Sequence, residues 1–98
     1  MAARADEVSD GEIIGVVVEG VELALYRLQG TLYATGNICS HQFARLSDGF
    51  IDGDCVECPL HQAKFHIPTG EARTPPAETA VPIFAVKVED GAILVDLP

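Results

Sequence analysis

Apolar and polar side chains alternate with a period of two toward both ends of this chain, and helical spacing is poorly represented throughout. Residues 13–18 form a β-branched run broken only by Gly15. After Glu19 and Gly20, the stretch from Val21 to Leu28 sets Val21, Leu23, Leu25 and Arg27 on one face and Glu22, Ala24, Tyr26 and Leu28 on the other. Such residues suit a pleated, half-buried surface, and the Glu-Gly pair between the runs predicts a tight hairpin. Gln29 and Gly30 give a second turn before a strand over 31–35. The pattern returns near the C-terminus, with one strand expected over 83–89, a turn at Asp90 and Gly91, and a strand over 92–96. Asp-Gly between apolar runs is among the strongest hairpin signals.

The stretch 37–76 breaks this rhythm. It holds every Cys, every His and most of the prolines, and its strand signals are short: Phe50 and Ile51, Cys55 and Val56, and Lys64 to His66. The expected fold is all-β, an antiparallel sandwich with residues 37–76 as a loop-rich subdomain inside a single domain over 1–98. Gly49, Gly53 and Gly70 are expected at turns that need positive φ. Loops on a rigid β scaffold are a common seat of function.

Ninety-eight residues suffice for one modest core, and 48% apolar content excludes a disordered chain. No apolar run approaches the roughly 20 residues that span a bilayer, so no membrane association is expected. The first residues lack the apolar core of a signal peptide, which makes the cytoplasm the expected location. Three cysteines in a reducing compartment argue against a disulfide scaffold and favour metal binding. Fifteen acids against six bases give a net charge of −9, which disfavours nucleic acid as a partner. The excess acids serve solubility, attraction to a basic protein partner, or both.

Two short arms carry the candidate chemistry. Cys39-Ser40-His41 is followed, after sixteen intervening residues, by Cys58-Pro59-Leu60-His61. Each arm is compact enough for one loop to aim both side chains at one metal site. Two Cys and two His can hold structural zinc or ligate iron. Zinc sites generally pair Cys with Cys and His with His, whereas each arm here mixes the two. Cys55 makes a formal Cys-x-x-Cys with Cys58, but no βαβ pattern surrounds it, and it reads as a small strand residue. His66 has no partner at ligand spacing after it and reads as an ordinary strand residue.

The spacings Cys-x-His and Cys-x-x-His resemble the signature of the Rieske iron–sulfur proteins. The wider blocks around Asn37 to His41, Leu46 to Gly49, Glu57 to Gln62, Phe65, and Thr69 with Gly70 look like the small ferredoxins of bacterial aromatic ring-hydroxylating dioxygenase systems, over residues 12–98. The resemblance implies one [2Fe–2S] cluster, with Cys39 and Cys58 on one iron and His41 and His61 on the other. Two ferric ions, two sulfides and two thiolates then sum to zero with neutral imidazoles. The reduced cluster is therefore −1, against −3 for an all-Cys cluster, and accepts its electron more readily.

The resemblance also implies a role: a one-electron carrier, not an enzyme alone, between an NAD(P)H-dependent flavoprotein reductase and a terminal oxygenase. The expected state is a monomer. A loop at Pro75 and Pro76 would cover the cluster, and Phe43 and Leu60 would pack or form an apolar collar. In the respiratory and photosynthetic branch a disulfide joins the two cluster loops, and Ser and Tyr hydroxyls approach the cluster. The corresponding positions here are Ala44 with Leu60, and Ala63 with Phe65, which points to the low-potential ferredoxin branch. The alternatives are a small Rieske subunit or redox sensor attached to another oxidoreductase, such as a nitrite reductase, a zinc-stabilised interaction module, and, less favoured, a Rieske domain of an oxygenase large subunit.

Overall fold

Three two-residue turns fix the register of the scaffold. Glu19 and Gly20, Gln29 and Gly30, and Asp90 and Gly91 all have positive φ at both positions, between 49° and 83°. That is the type I′ geometry whose twist matches paired strands. The computed structural model describes residues 2–38, 44–59, 63–74 and 80–97. Its strands are β1 (Ala3–Arg4), β2 (Ile13–Val18), β3 (Val21–Leu28), β4 (Thr31–Gly36), β5 (Phe50–Asp52), β6 (Cys55–Glu57), β7 (Lys64–His66), β8 (Ala72–Thr74), β9 (Ile83–Phe84), β10 (Val86–Glu89) and β11 (Ala92–Val95). Among the described residues the only helical segments are two three-residue 3-10 turns, Ala5–Glu7 and Leu46–Asp48. None is long and apolar enough to cross a membrane.

The strands form three antiparallel sheets, in the orders β2-β3-β4-β9, β1-β11-β10 and β5-β6-β7-β8. The all-β antiparallel expectation therefore holds. The first sheet is central because both faces of β3 are apolar. Ala24 and Tyr26 join a core with Ala44, Leu46, Val56, Cys58, Ala63, Phe65 and Ile67. Leu25, on the opposite face, joins a second core with Ala34, Ala3, Val8 and Ile93. One sheet thus supports both the stretch that bears the candidate chemistry and the C-terminal hairpin.

The single strand expected over 83–89 is two strands. Ile83 and Phe84 pair with β4, while Val86 to Glu89 pair with β11, so the run changes sheet at Ala85. The Ala85 carbonyl accepts the Asp96 amide at 2.9 Å and holds the corner. The N-terminal segment is pinned by Arg27, whose guanidinium donates to the carbonyls of Val8 (2.6 Å) and Ala5 (2.8 Å). The chain leaves the central sheet at Gly36 and returns at Pro82, and the Gly36 amide donates to the Pro82 carbonyl at 2.9 Å.

Candidate metal centre

Both candidate arms spring from closed bases. The first is the segment 39–43. Ile38 bridges Arg45 in antiparallel pairing before and after it, and the Leu46 amide donates to the Asn37 carbonyl at 2.7 Å. The Asn37 side chain reaches the same turn: its Oδ1 accepts from the Ser47 amide at 2.8 Å, and its Nδ2 donates to Ser47 Oγ at 2.9 Å. The second segment, 59–62, joins β6 to β7, and its base closes where the Cys58 amide donates to the Ala63 carbonyl at 2.7 Å.

Of the four expected ligands, Cys58 lies within the described residues; Cys39, His41 and His61 lie outside them, as do Phe43, Leu60, Pro75 and Pro76. Among the described residues no group of three His, Cys, Asp or Glu side chains is placed to hold a metal. Cys58 is 1% exposed, in the core that also contains Ala44, Ala63 and Phe65. A thiolate in a water-excluded apolar wall fits a cofactor whose oxidised form carries no net charge, because burying an uncompensated charge there would be costly.

Three glycines were expected at positive φ, and two are: Gly53 at 65° and Gly70 at 76°. Gly49 is not. Its φ is −89°, and its need for glycine is steric, since a Cβ there would overlap the Glu57 carbonyl oxygen. The absent side chain lets the turn after Leu46–Asp48 pass against the strand that leads into Cys58. Sequence reasoning found the position but gave the wrong cause.

Cys55 and His66 stand opposite each other on β6 and β7. Along β6 burial alternates, with Cys55 and Glu57 half-buried and Val56 and Cys58 buried. Cys55 and Cys58 thus face opposite sides, which removes the dithiol reading of their spacing. His66 Nε2 lies 2.9 Å from Asp54 Oδ2, and Nδ1 lies 2.8 Å from Thr69 Oγ1. The hydrogen bond to His66 is the chief cause that holds the Asp54 carboxyl below its ordinary range. Burial, then the adjacent Asp54 carboxylate, pushes the Cys55 thiol up, so it stays protonated near neutrality. Neither environment resembles that of an activated nucleophile.

Asn37, Ser47 and Gly15 are structural participants that site reasoning missed. Asn37 and Ser47 stand in blocks that carry the family resemblance, but their contact depends on a fold that brings Gly15 beside both.

Three antiparallel sheets carry two closed loop bases, with a buried Cys at the second, and define an all-β class of protein. Residues 1–85 match the family described as the Rieske [2Fe-2S] domain. The chain belongs to that family. It accordingly has a Rieske-type [2Fe–2S] cluster, and its likeness to ferredoxin components of dioxygenase systems makes it an electron-transfer component. The ferredoxin component of a naphthalene 1,2-dioxygenase system from Pseudomonas aeruginosa is 46% identical over 91 residues, covering 93% of this chain and 88% of that one. The solved ferredoxin of Sphingomonas yanoikuyae B1 superposes with a TM-score of 0.94 at 37% identity, over 99% of this chain and 96% of its own. A chain from the solved complex of reduced oxygenase and oxidized ferredoxin in carbazole 1,9a-dioxygenase gives a TM-score of 0.90 at 36% identity, over 96% of this chain and 88% of its own.

Proposed function

We propose that Cys39 and Cys58 bind one iron of the cluster and His41 and His61 the other. The protein passes single electrons from an NAD(P)H-dependent flavoprotein reductase to a terminal aromatic-ring-hydroxylating oxygenase. It works as a monomer in the cytoplasm. Residues 1–98 form one domain, with 37–76 as its cluster-binding part. The observation that carries the reading is the buried Cys58 at the closed base of the second arm, in a chain whose relatives are dioxygenase ferredoxins.

When bound, the cluster accepts and returns one electron without bond rearrangement in a substrate. The chain's own residues do the rest. Phe65, Ala63 and Val56 exclude water from the Cys58 side. The Ala63 carbonyl and Cys58 amide hold the second segment closed, and Asn37 with Leu46 holds the first. Iron, sulfide and zinc analysis of the purified protein, with absorption and EPR spectra, tests the ligand set. We expect two irons and two acid-labile sulfides per chain and a paramagnetic reduced state. His41→Ala and His61→Ala should each lose the cluster or its Rieske spectrum, whereas His66→Ala and Cys55→Ser should keep both. One zinc and no sulfide would end the reading. For the partners, reductase and oxygenase of a naphthalene 1,2-dioxygenase system supply the assay: product formation should require this protein, and its absence of effect would refute the assignment to that class of system.

A further inference from the structure

We propose that Gly15, Asn37 and Ser47 form a clasp that fixes the two roots of the first ligand segment. This inference rests on the assignment of Cys39 and His41 as ligands. Asn37 is 3% exposed, and with Thr35 it makes up the buried polar residues among those described. Each of its four polar atoms has a hydrogen-bond partner. Its amide donates to the Glu22 carbonyl at 3.0 Å and its carbonyl accepts from the Leu46 amide at 2.7 Å. Its side chain takes the Ser47 amide and gives to the Ser47 hydroxyl.

One residue therefore joins β3, the end of β4 and the 3-10 turn Leu46–Asp48. It stands two positions before Cys39, and Ser47 stands six after His41. The contact closes only because β2 yields space at Gly15. A Cβ there would lie 2.7 Å from Ser47 Oγ and 3.0 Å from Asn37 Nδ2. Gly15 has no positive φ to account for it, so its lack of a side chain serves this packing. A buried amide whose oxygen and nitrogen are both hydrogen-bonded at the root of a loop locks that root, because any displacement leaves polar groups unpaired. Ligands held on such a root are pre-organised for the metal. Asn37, Ser47 and Gly15 are positioning residues that act through the backbone on either side of 39–43.

Gly15→Ala tests this with a wedge that removes no hydrogen-bonding group and lies far from the ligands in sequence. In the cluster-loaded variant we expect shifted or broadened EPR g-values in the reduced state. Cluster release to an iron chelator should be at least about fivefold faster, the scale of one lost hydrogen bond. Unchanged values in Gly15→Ala would overturn the proposal. If Gly15→Ala does not fold, Ser47→Ala, which adds no atoms, should still speed release by about fivefold; an unchanged rate there overturns it equally. Retention of the Rieske spectrum in His41→Ala would instead refute the ligand assignment, a separate outcome.

Discussion

Ala63 and Phe65 set the electrostatic tone around Cys58. Both are almost fully buried, at 1% and 0% exposure, and neither side chain has a donor to offer a sulfur that gains negative charge. A donor aimed there would stabilise the reduced state and raise the potential. We therefore expect a value at the low end of the Rieske range, about −150 mV. Ala63→Ser with Phe65→Tyr should raise it, each new bond adding at most about 1.5–3 kcal/mol. Protein-film voltammetry on both proteins decides, and a wild-type value above about +100 mV would sink the low-potential assignment. These positions were legible in the sequence because ligand motifs are local, and neighbours two and four residues past His61 can be named by counting. Gly49 shows the limit of counting: its partner is Glu57, brought close by the β5-β6 pairing and by nothing within the turn itself.

Strands and turns were read well where the chain encodes them in adjacent residues. The Glu-Gly, Gln-Gly and Asp-Gly pairs specify their own backbone geometry, and β2, β3, β4 and β11 follow within a residue of expectation. The split of the last long run at Ala85 was not legible, because two different partner strands, β4 and β11, impose it. Strands β1 and β8, at two and three residues, are too short to show a period. Between elements, Asp54 in the β5-β6 turn grips His66 on β7, and His66 grips Thr69 in the turn that follows. The Asp54 carboxyl is held below its ordinary value in the folded state. Its stabilising effect is therefore complete above the ordinary carboxylate pKa of about 3.9 and fades as pH falls through the lower folded value. Thermal unfolding of wild type and Asp54→Ala should differ at pH 6 and converge in acid once the folded-state carboxyl is protonated. A difference that persists unchanged into strong acid would show that the carboxylate charge is not what stabilises the turn.

Over the whole molecule, the six Lys and Arg side chains are all engaged inside the chain. Arg4, Arg45, Lys64, Arg73 and Lys87 face Asp6, Glu22, Asp52, Glu71 and Glu89 respectively, and Arg27 serves backbone carbonyls. What remains for a partner to sense is the excess of acids. Association with a basic reductase surface should slow as salt rises, since exposed charges are screened beyond about 10 Å at 0.1 M. Stopped-flow electron transfer measured across ionic strength tests this, and a flat profile would assign the acids to solubility alone. The hydrogen bond from Gly36 to Pro82 has a different consequence. Exit from and re-entry to the central sheet are side by side, so the stretch between Gly36 and Pro82 is a detour in an otherwise continuous β meander. Such a detour can be exchanged between homologous chains at two adjacent points without re-registering a single scaffold strand. The exchange carries one condition: the grafted piece must bring its own cover for Ala24 and Tyr26, or the scaffold will be left with a bare face.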